Sequence, residues 1–206
     1  MTVLKAGKYK KSLFILILLF VEAVIIFIIN YYVVVIAGKN VDIVVHNEKN
    51  NKSILEDMKY FPIPLKYQSE ITFEDSFGAY RDNGGHEGCD IMDVKNEAGR
   101  IPVISATDGR VTNIGWLYLG GYRIGITSDN NIYYYYAHLD TYVRGIELGD
   151  SIKAGQLIGF MGNTGEGTEG TRGKFPVHLH FGIYVKDVGG KEQAVNSYSY
   201  LMMSFY

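Results

Sequence analysis

Cysteine and proline are scarce in this chain. A single cysteine, Cys89, among 206 residues excludes an internal disulfide framework and a cysteine-based zinc finger. Four prolines are too few for a Pro-rich linker. There is no excess of positive charge either: 20 Lys+Arg stand against 22 Asp+Glu, a formal net of -2. That argues against a nucleic-acid binder, which carries a basic stripe. The phosphate-cradling pattern Gly-x4-Gly-Lys-Ser/Thr is missing as well. Gly173-Lys174 is followed by Phe175, and the position five before Gly173 is Thr168, so nucleotide binding is rejected. What is present is apolar material, 47% of the residues, which supplies a core and excludes a disordered chain. The length points to one main domain. The 24 glycines and 14% aromatics suggest a turn-rich β protein rather than a helical bundle.

The apolar residues are concentrated near the start. Leu13 to Ile36 reads LFILILLFVEAVIIFIINYYVVVI, long enough for a bilayer, which needs roughly 20 residues. A signal peptide has a shorter apolar part and a small-x-small cleavage site. Val35-Ile36-Ala37 is a poor one, so an uncleaved single-pass anchor is expected. Lys5, Lys8, Lys10 and Lys11 precede the run, and Lys39 is the only nearby base after it. The positive-inside rule then puts the N-terminus in the cytoplasm and everything beyond Ala37 outside. Glu22 inside the run is read as a protonated residue tolerated by a very apolar helix; the alternative is helix pairing through it. Four of the 20 bases and one of the 22 acids fall in residues 1–36, leaving 16 bases against 21 acids, a net of -5. Such a domain is not built to hold anionic polymers by charge.

Residues 37–52 read as a polar stalk. Ser53 and Glu56 match a capping box, predicting a short helix over Ile54–Tyr60 that stops before Pro62. His46, alone in the stalk, is given no role. Beyond Ile71 the chain alternates short strands and turns. The candidates are Ile71–Phe77, Ile101–Ser105, Gly109–Ile114, Arg123–Thr127, Ile132–His138, Leu157–Met161 and Val177–Val185. With no long helix among them, an antiparallel, all-β architecture is predicted.

Four of the five histidines occupy suggestive settings. His178 and His180 lie two apart on a predicted strand and project from one face, with Val177, Leu179 and Phe181 on the other. Imidazole suits zinc, and a catalytic zinc commonly has three protein ligands and an open position for water. His86 and Asp90, across an expected turn at Gly88, supply further donors. The helical motif HExxH does not fit, because position 90 is Asp and Gly88 disfavours a helix. His138 follows the Tyr133–Tyr136 run. Tyr136, two before it, is expected to share its face and line a groove. Each of these features alone is a weak signal.

The motifs HEGCDIM (86–92), ISATDGRVTNIG (104–115), YYAHL (135–139), GDSIKAGQLIGFMGNTG (149–165) and HLHFGIY (178–184) resemble, in order and spacing, the lysostaphin and β-lytic type zinc metallopeptidases. The resemblance runs from about Ile71 to Leu201. It implies an antiparallel β-sheet or sandwich domain with barrel-sandwich-hybrid-like topology, and hydrolysis of peptide bonds in peptidoglycan stem peptides or cross-bridges. By position it implies His86, Asp90 and His180 as ligands of one zinc ion per chain, and His138 and His178 as unligated active-site histidines. The segments become a cytoplasmic tail (1–12), a transmembrane helix (13–36), a juxtamembrane stalk with a short helix (37–70) and a zinc metallopeptidase-like domain (71–206). The expected partners are peptidoglycan peptides and the membrane, with no nucleic acid.

Departures from the family pattern are Gly182 where Glu is frequent after HLHF, a longer loop over Glu166–Phe175, and Asn196-Ser197 in place of Asn-Pro. Cys89 stands where an apolar residue is usual and reads as a small buried hydrophobe. Three alternatives compete. One is a non-catalytic or weakly catalytic wall-binding or assembly scaffold similar to stage II sporulation protein Q, with a protein partner in an envelope assembly. A biotinyl- or lipoyl-type carrier lacks its lysine between Asp108 and Val111. A non-haem iron oxygenase with two His and one carboxylate leaves His138 and His178 without purpose.

Overall fold

A computed structural model describes residues 3–81 and 84–205. The chain forms two compact units, Met1–His46 and Asn47–Tyr206. The first is the body of helix α1 (Val3–Asp57). From Leu19 onward this helix is long and apolar enough to cross a membrane. Phe20, Phe27 and Val34 are exposed on it, as is Glu22.

The predicted stalk and separate short helix do not appear. α1 runs unbroken through residues 37–57, and Ser53 lies inside it rather than at an N-cap. The reason is local: no proline interrupts 37–57, and a lone Gly38 costs only about 1 kcal/mol. Tertiary contacts within the second unit hold the last turns. Ile54 is fully buried, Asn51 Oδ1 accepts the Tyr200 hydroxyl at 2.7 Å, and Asp57 accepts bonds from Ser128 and Asn130.

The second unit continues with a 3-10 turn (Leu65–Glu70) and, among the described residues, twelve strands. These are β1 (Ile71–Phe73), β2 (Tyr80–Arg81), β3 (Gly84–Gly85), β4 (Cys89–Asp93), β5 (Pro102–Ile104), β6 (Gly109–Leu117), β7 (Gly121–Thr127), β8 (Tyr133–Tyr142), β9 (Ser151–Ile152), β10 (Leu157–Met161), β11 (His178–Lys186) and β12 (Glu192–Val195), followed by helix α2 (Tyr198–Phe205). Ten strands form one sheet in the order β1-β4-β11-β8-β7-β6-β9. β10 pairs with β5 and with the far end of β8, and β12 extends the β11 edge. Every pairing is antiparallel, so the predicted β architecture is the observed one. β2 and β3 make a separate two-stranded ribbon.

One face of the sheet is packed. Ile91, Ile124, Ile126, Tyr134, Tyr136, Leu179, Phe181 and Ile183 are essentially inaccessible and form the core. Along β11, Leu179, Phe181 and Ile183 join the core while His178, His180 and Tyr184 line the opposite, cleft side. Two residues apart on one face is a property of any strand, and here it leaves a chemical surface on the open side.

Candidate metal centre

The site is assembled by register. In the β11–β4 pairing His180 stands opposite Asp90 and His178 opposite Met92. Asp90 therefore lies on a strand, not beyond a turn, and Cys89, Ile91 and Asp93 of β4 point into the protein. His86 enters from the short loop between β3 and β4. His86 Nε2 lies 3.1 Å from Asp90 Oδ1 and 2.9 Å from His180 Nδ1, and His180 Nδ1 lies 3.0 Å from Asp90 Oδ1. These three donor atoms, all within 4.8 Å of one another, form a group among the described residues that could hold a metal. Gly88 permits the convergence. A Cβ there would stand 2.7 Å from the His180 ring and from the Phe181 carbonyl oxygen.

Each of three other ring nitrogens is tied to a backbone carbonyl, which can only accept. His86 Nδ1 donates to Ser76 O, His178 Nδ1 to Pro176 O and His138 Nδ1 to Thr164 O, each at 2.8 Å. A neutral imidazole protonated at Nδ1 carries its lone pair on Nε2. His86 is thus oriented as a ligand through Nε2. His178 Nε2 is buried with no hydrogen-bond partner, 3.8 Å from Asp90 Oδ1. An orphaned buried nitrogen facing an acidic group is unusual and calls for a ligand or water at that point. The His138 and His178 ring centroids are 4.7 Å apart, and Phe175 packs edge-on against both.

His138 reaches this face through an irregularity. It adopts φ 61°, and its N–H donates to Gly120 O at 2.8 Å. The β8 register shifts on both neighbours around it, between Tyr136 and Leu139 against β7 and between Leu139 and Thr141 against β10. The bulge breaks the i, i+2 parity. Tyr136 consequently faces the core, fully buried, its hydroxyl accepting the Ala106 N–H at 2.8 Å. The expectation that Tyr136 lines the groove is corrected: Tyr135 does, with its ring edge-on to His180 at 5.8 Å.

Electrostatics follow the geometry. Burial alone would raise the Asp90 carboxyl, but its close contacts with His180 and His86 overcome it and hold Asp90 far below the usual carboxylate range. Burial, with His178 and His180 nearby, pushes His138 down to about 3. Burial likewise lowers His178, with Asp90 opposing. Both imidazoles are neutral near pH 7. The Cys89 thiol is pushed up to about 12 by burial and by Asp90, and it bonds Glu74 O rather than joining the donor group.

The histidines open on a cleft of about 740 Å³. Arg81, Glu87, Leu119, Glu166, Tyr135 and Tyr184 line it beside the histidines. The loop 166–175 is pinned by Trp116 Nε1 donating to Gly167 O at 3.1 Å and by the Arg172–Asp140 ion pair. It contributes Glu166 and Phe175 to the cleft. Two contributors have no signal in the sequence pattern, Arg81 and the carbonyl of Ser76; Tyr135 and Thr164 lie in the recognised motifs, but nothing there marks them as part of the cleft.

Comparison with known proteins places this geometry in a family. Residues 84–197, more than half of the chain, match Peptidase family M23. The L-Ala–D-Glu endopeptidase of Bacillus subtilis is 41% identical over 144 residues, 68% of this chain and 42% of the relative. The murein hydrolase activator NlpD of Escherichia coli is 38% identical over 137 residues, 66% of this chain and 31% of the relative. A crystal structure of a putative glycyl-glycine endopeptidase lytM from Ruminococcus gnavus superimposes with a TM-score of 0.67 at 52% identity, covering 72% of this chain and 61% of that one. The chain thus spans less than half the length of these two curated relatives. The chain belongs to peptidase family M23, a family of peptidoglycan metalloendopeptidases.

Proposed function

We propose that this protein is a membrane-anchored, zinc-dependent endopeptidase that cleaves peptide bonds of peptidoglycan. The observation that carries the proposal is the convergence of five groups in one cleft: the His86–Asp90–His180 donor group and, beside it, two neutral histidines, one with an orphaned Nε2. Two imidazole nitrogens and one carboxylate oxygen are ordinary zinc donors. A zinc ion held there would polarise the scissile carbonyl and lower the pKa of water.

The chain's own residues do the remainder. His138 and His178, neutral and aimed by Thr164 O and Pro176 O, can accept a proton at Nε2. Once protonated, such a group stabilises the developing oxyanion or passes its proton to the leaving amine. Phe175 and the loop behind it limit water on that side. The B. subtilis relative makes the L-Ala–D-Glu bond the first substrate to test. Residues 13–36 would serve as the anchor, with the N-terminus cytoplasmic and the sheet domain outside.

The NlpD relative, named a murein hydrolase activator, supports a second reading as a non-catalytic wall-binding or assembly module with a protein partner. Digestion of purified wall by the zinc-supplemented full chain in detergent, with mass spectrometry of the fragments, decides between them. Cleavage strongly reduced, by roughly 10²–10⁴-fold, is expected in His178→Ala. An intact wall with a zinc-loaded wild-type chain would leave the second reading.

A further inference from the structure

Asp90 uses its two oxygens for different purposes. Oδ1 faces both histidine donors, His86 Nε2 at 3.1 Å and His180 Nδ1 at 3.0 Å. Oδ2 accepts a bond from Arg81 Nη2 at 2.6 Å. The Asp90 side chain is 17% exposed and that of Arg81 45%. An ion pair between two exposed groups would contribute little. Here one partner is mostly buried, and it is the acidic member of the donor group. The contact is also through one guanidinium nitrogen to one oxygen, not the two-pronged fork that Arg and a carboxylate adopt when only each other's company matters.

The placement of Arg81 is equally specific. It lies on β2 and pairs with Gly84 of β3, so it belongs to the ribbon beside the cleft. That ribbon leads directly into His86: Gly78 N donates to His86 O at 2.8 Å and His86 N to Ala79 O at 2.9 Å. A carboxylate with a free second oxygen can swing to give a metal either oxygen or both. Partners in the outer shell remove that freedom and set the orientation of the ligand.

We propose that Arg81 is a positioning residue of the metal centre. It claims Oδ2 and so presents Asp90 to a divalent cation through Oδ1 alone. The inference rests on the metal-binding reading above. Its consequence is that the cleft wall and the donor group are one mechanical unit, because the same ribbon carries Arg81 and anchors His86.

The test uses the full chain in detergent, stripped with chelator and reloaded with zinc or cobalt(II). Zinc affinity by chelator competition should fall about tenfold or more in Arg81→Gln, the range seen when outer-shell partners are lost. Arg81→Lys, which keeps a donor cation, should recover part of it. In the cobalt(II) form of Arg81→Gln, the visible absorption should weaken as the freed Oδ2 joins the metal and raises its coordination number. Equal unfolding temperatures of the metal-free wild type and variants would exclude a folding defect as the cause. Unchanged zinc affinity together with an unchanged cobalt spectrum would overturn the proposal, even if KM rose. A wild-type chain that takes up neither metal would overturn this inference and the metal reading together.

Discussion

His138 and His178 stand ring to ring, 4.7 Å between centroids, each with Nδ1 bonded to a backbone carbonyl. Neither belongs to the donor group. His138→Ala and His178→Ala should therefore keep zinc and lose wall hydrolysis by roughly 10²–10⁴-fold, the usual effect of one acid/base group. His180→Ala should lose both. Metal analysis of the purified variants checks the division. An emptied site in His178→Ala with a loaded one in His180→Ala would reverse the roles of the pair.

Acid should destabilise the metal-free protein through His138. Its ordinary pKa of 6.5 falls to about 3 in the fold, chiefly by burial. Between those values the unfolded chain binds the proton and the folded chain does not. Stability therefore rises with pH across that window and is lost as pH falls through it. Melting temperatures of chelator-treated protein between pH 7 and pH 4 should drop less steeply in His138→Gln. Parallel curves for the two proteins would refute the assignment.

Gly88→Ala should damage the centre without touching a ligand. The added methyl would meet the His180 ring and the Phe181 carbonyl oxygen at 2.7 Å, and a forced shift of this kind costs about 1–3 kcal/mol. A lower unfolding temperature and weaker zinc binding are expected together. Wild-type zinc affinity in this variant would show that His180 relaxes freely.

Two adjacent tyrosines should separate by phenotype. Tyr136→Phe leaves the buried Ala106 N–H without its acceptor, a loss of about 1–3 kcal/mol, with zinc content unchanged. Tyr135→Ala removes the ring against His180 and opens the cleft, so hydrolysis should suffer more than melting temperature. The same wall-digestion assay and a thermal melt on both variants suffice. Equal activity of Tyr135→Ala and wild type would remove Tyr135 from the site.

The legible and illegible parts of the chain divide along physical lines. His178 and His180 could be read because strand parity is local: two residues apart means one face. Strand β4 could not, since two aspartates in Cys89–Asp93 depress strand propensity and only pairing with β1 and β11 on either side makes it a strand. The Tyr136 expectation followed parity correctly and failed at a bulge, which needs partners β7 and β10 to exist. The capping box at Ser53 was a sound local signal overridden by the burial of Ile54. Arg81 lies in a stretch of Gly, Asn and Asp with no pattern at all, and only the folded ribbon brings it to Asp90.

The facing of His180 and Asp90 across β4 and β11 has a consequence for how the protein is made. A slip of one residue between these two strands would turn either partner toward the packed face, and the donor group could not form. A divalent cation would thus bind only chains whose central strands have aligned correctly. By mass action it would draw the misaligned population toward the native one, the stabilisation growing with the logarithm of its concentration over its dissociation constant. Metal supply during synthesis would then govern the yield of folded protein as well as its chemistry.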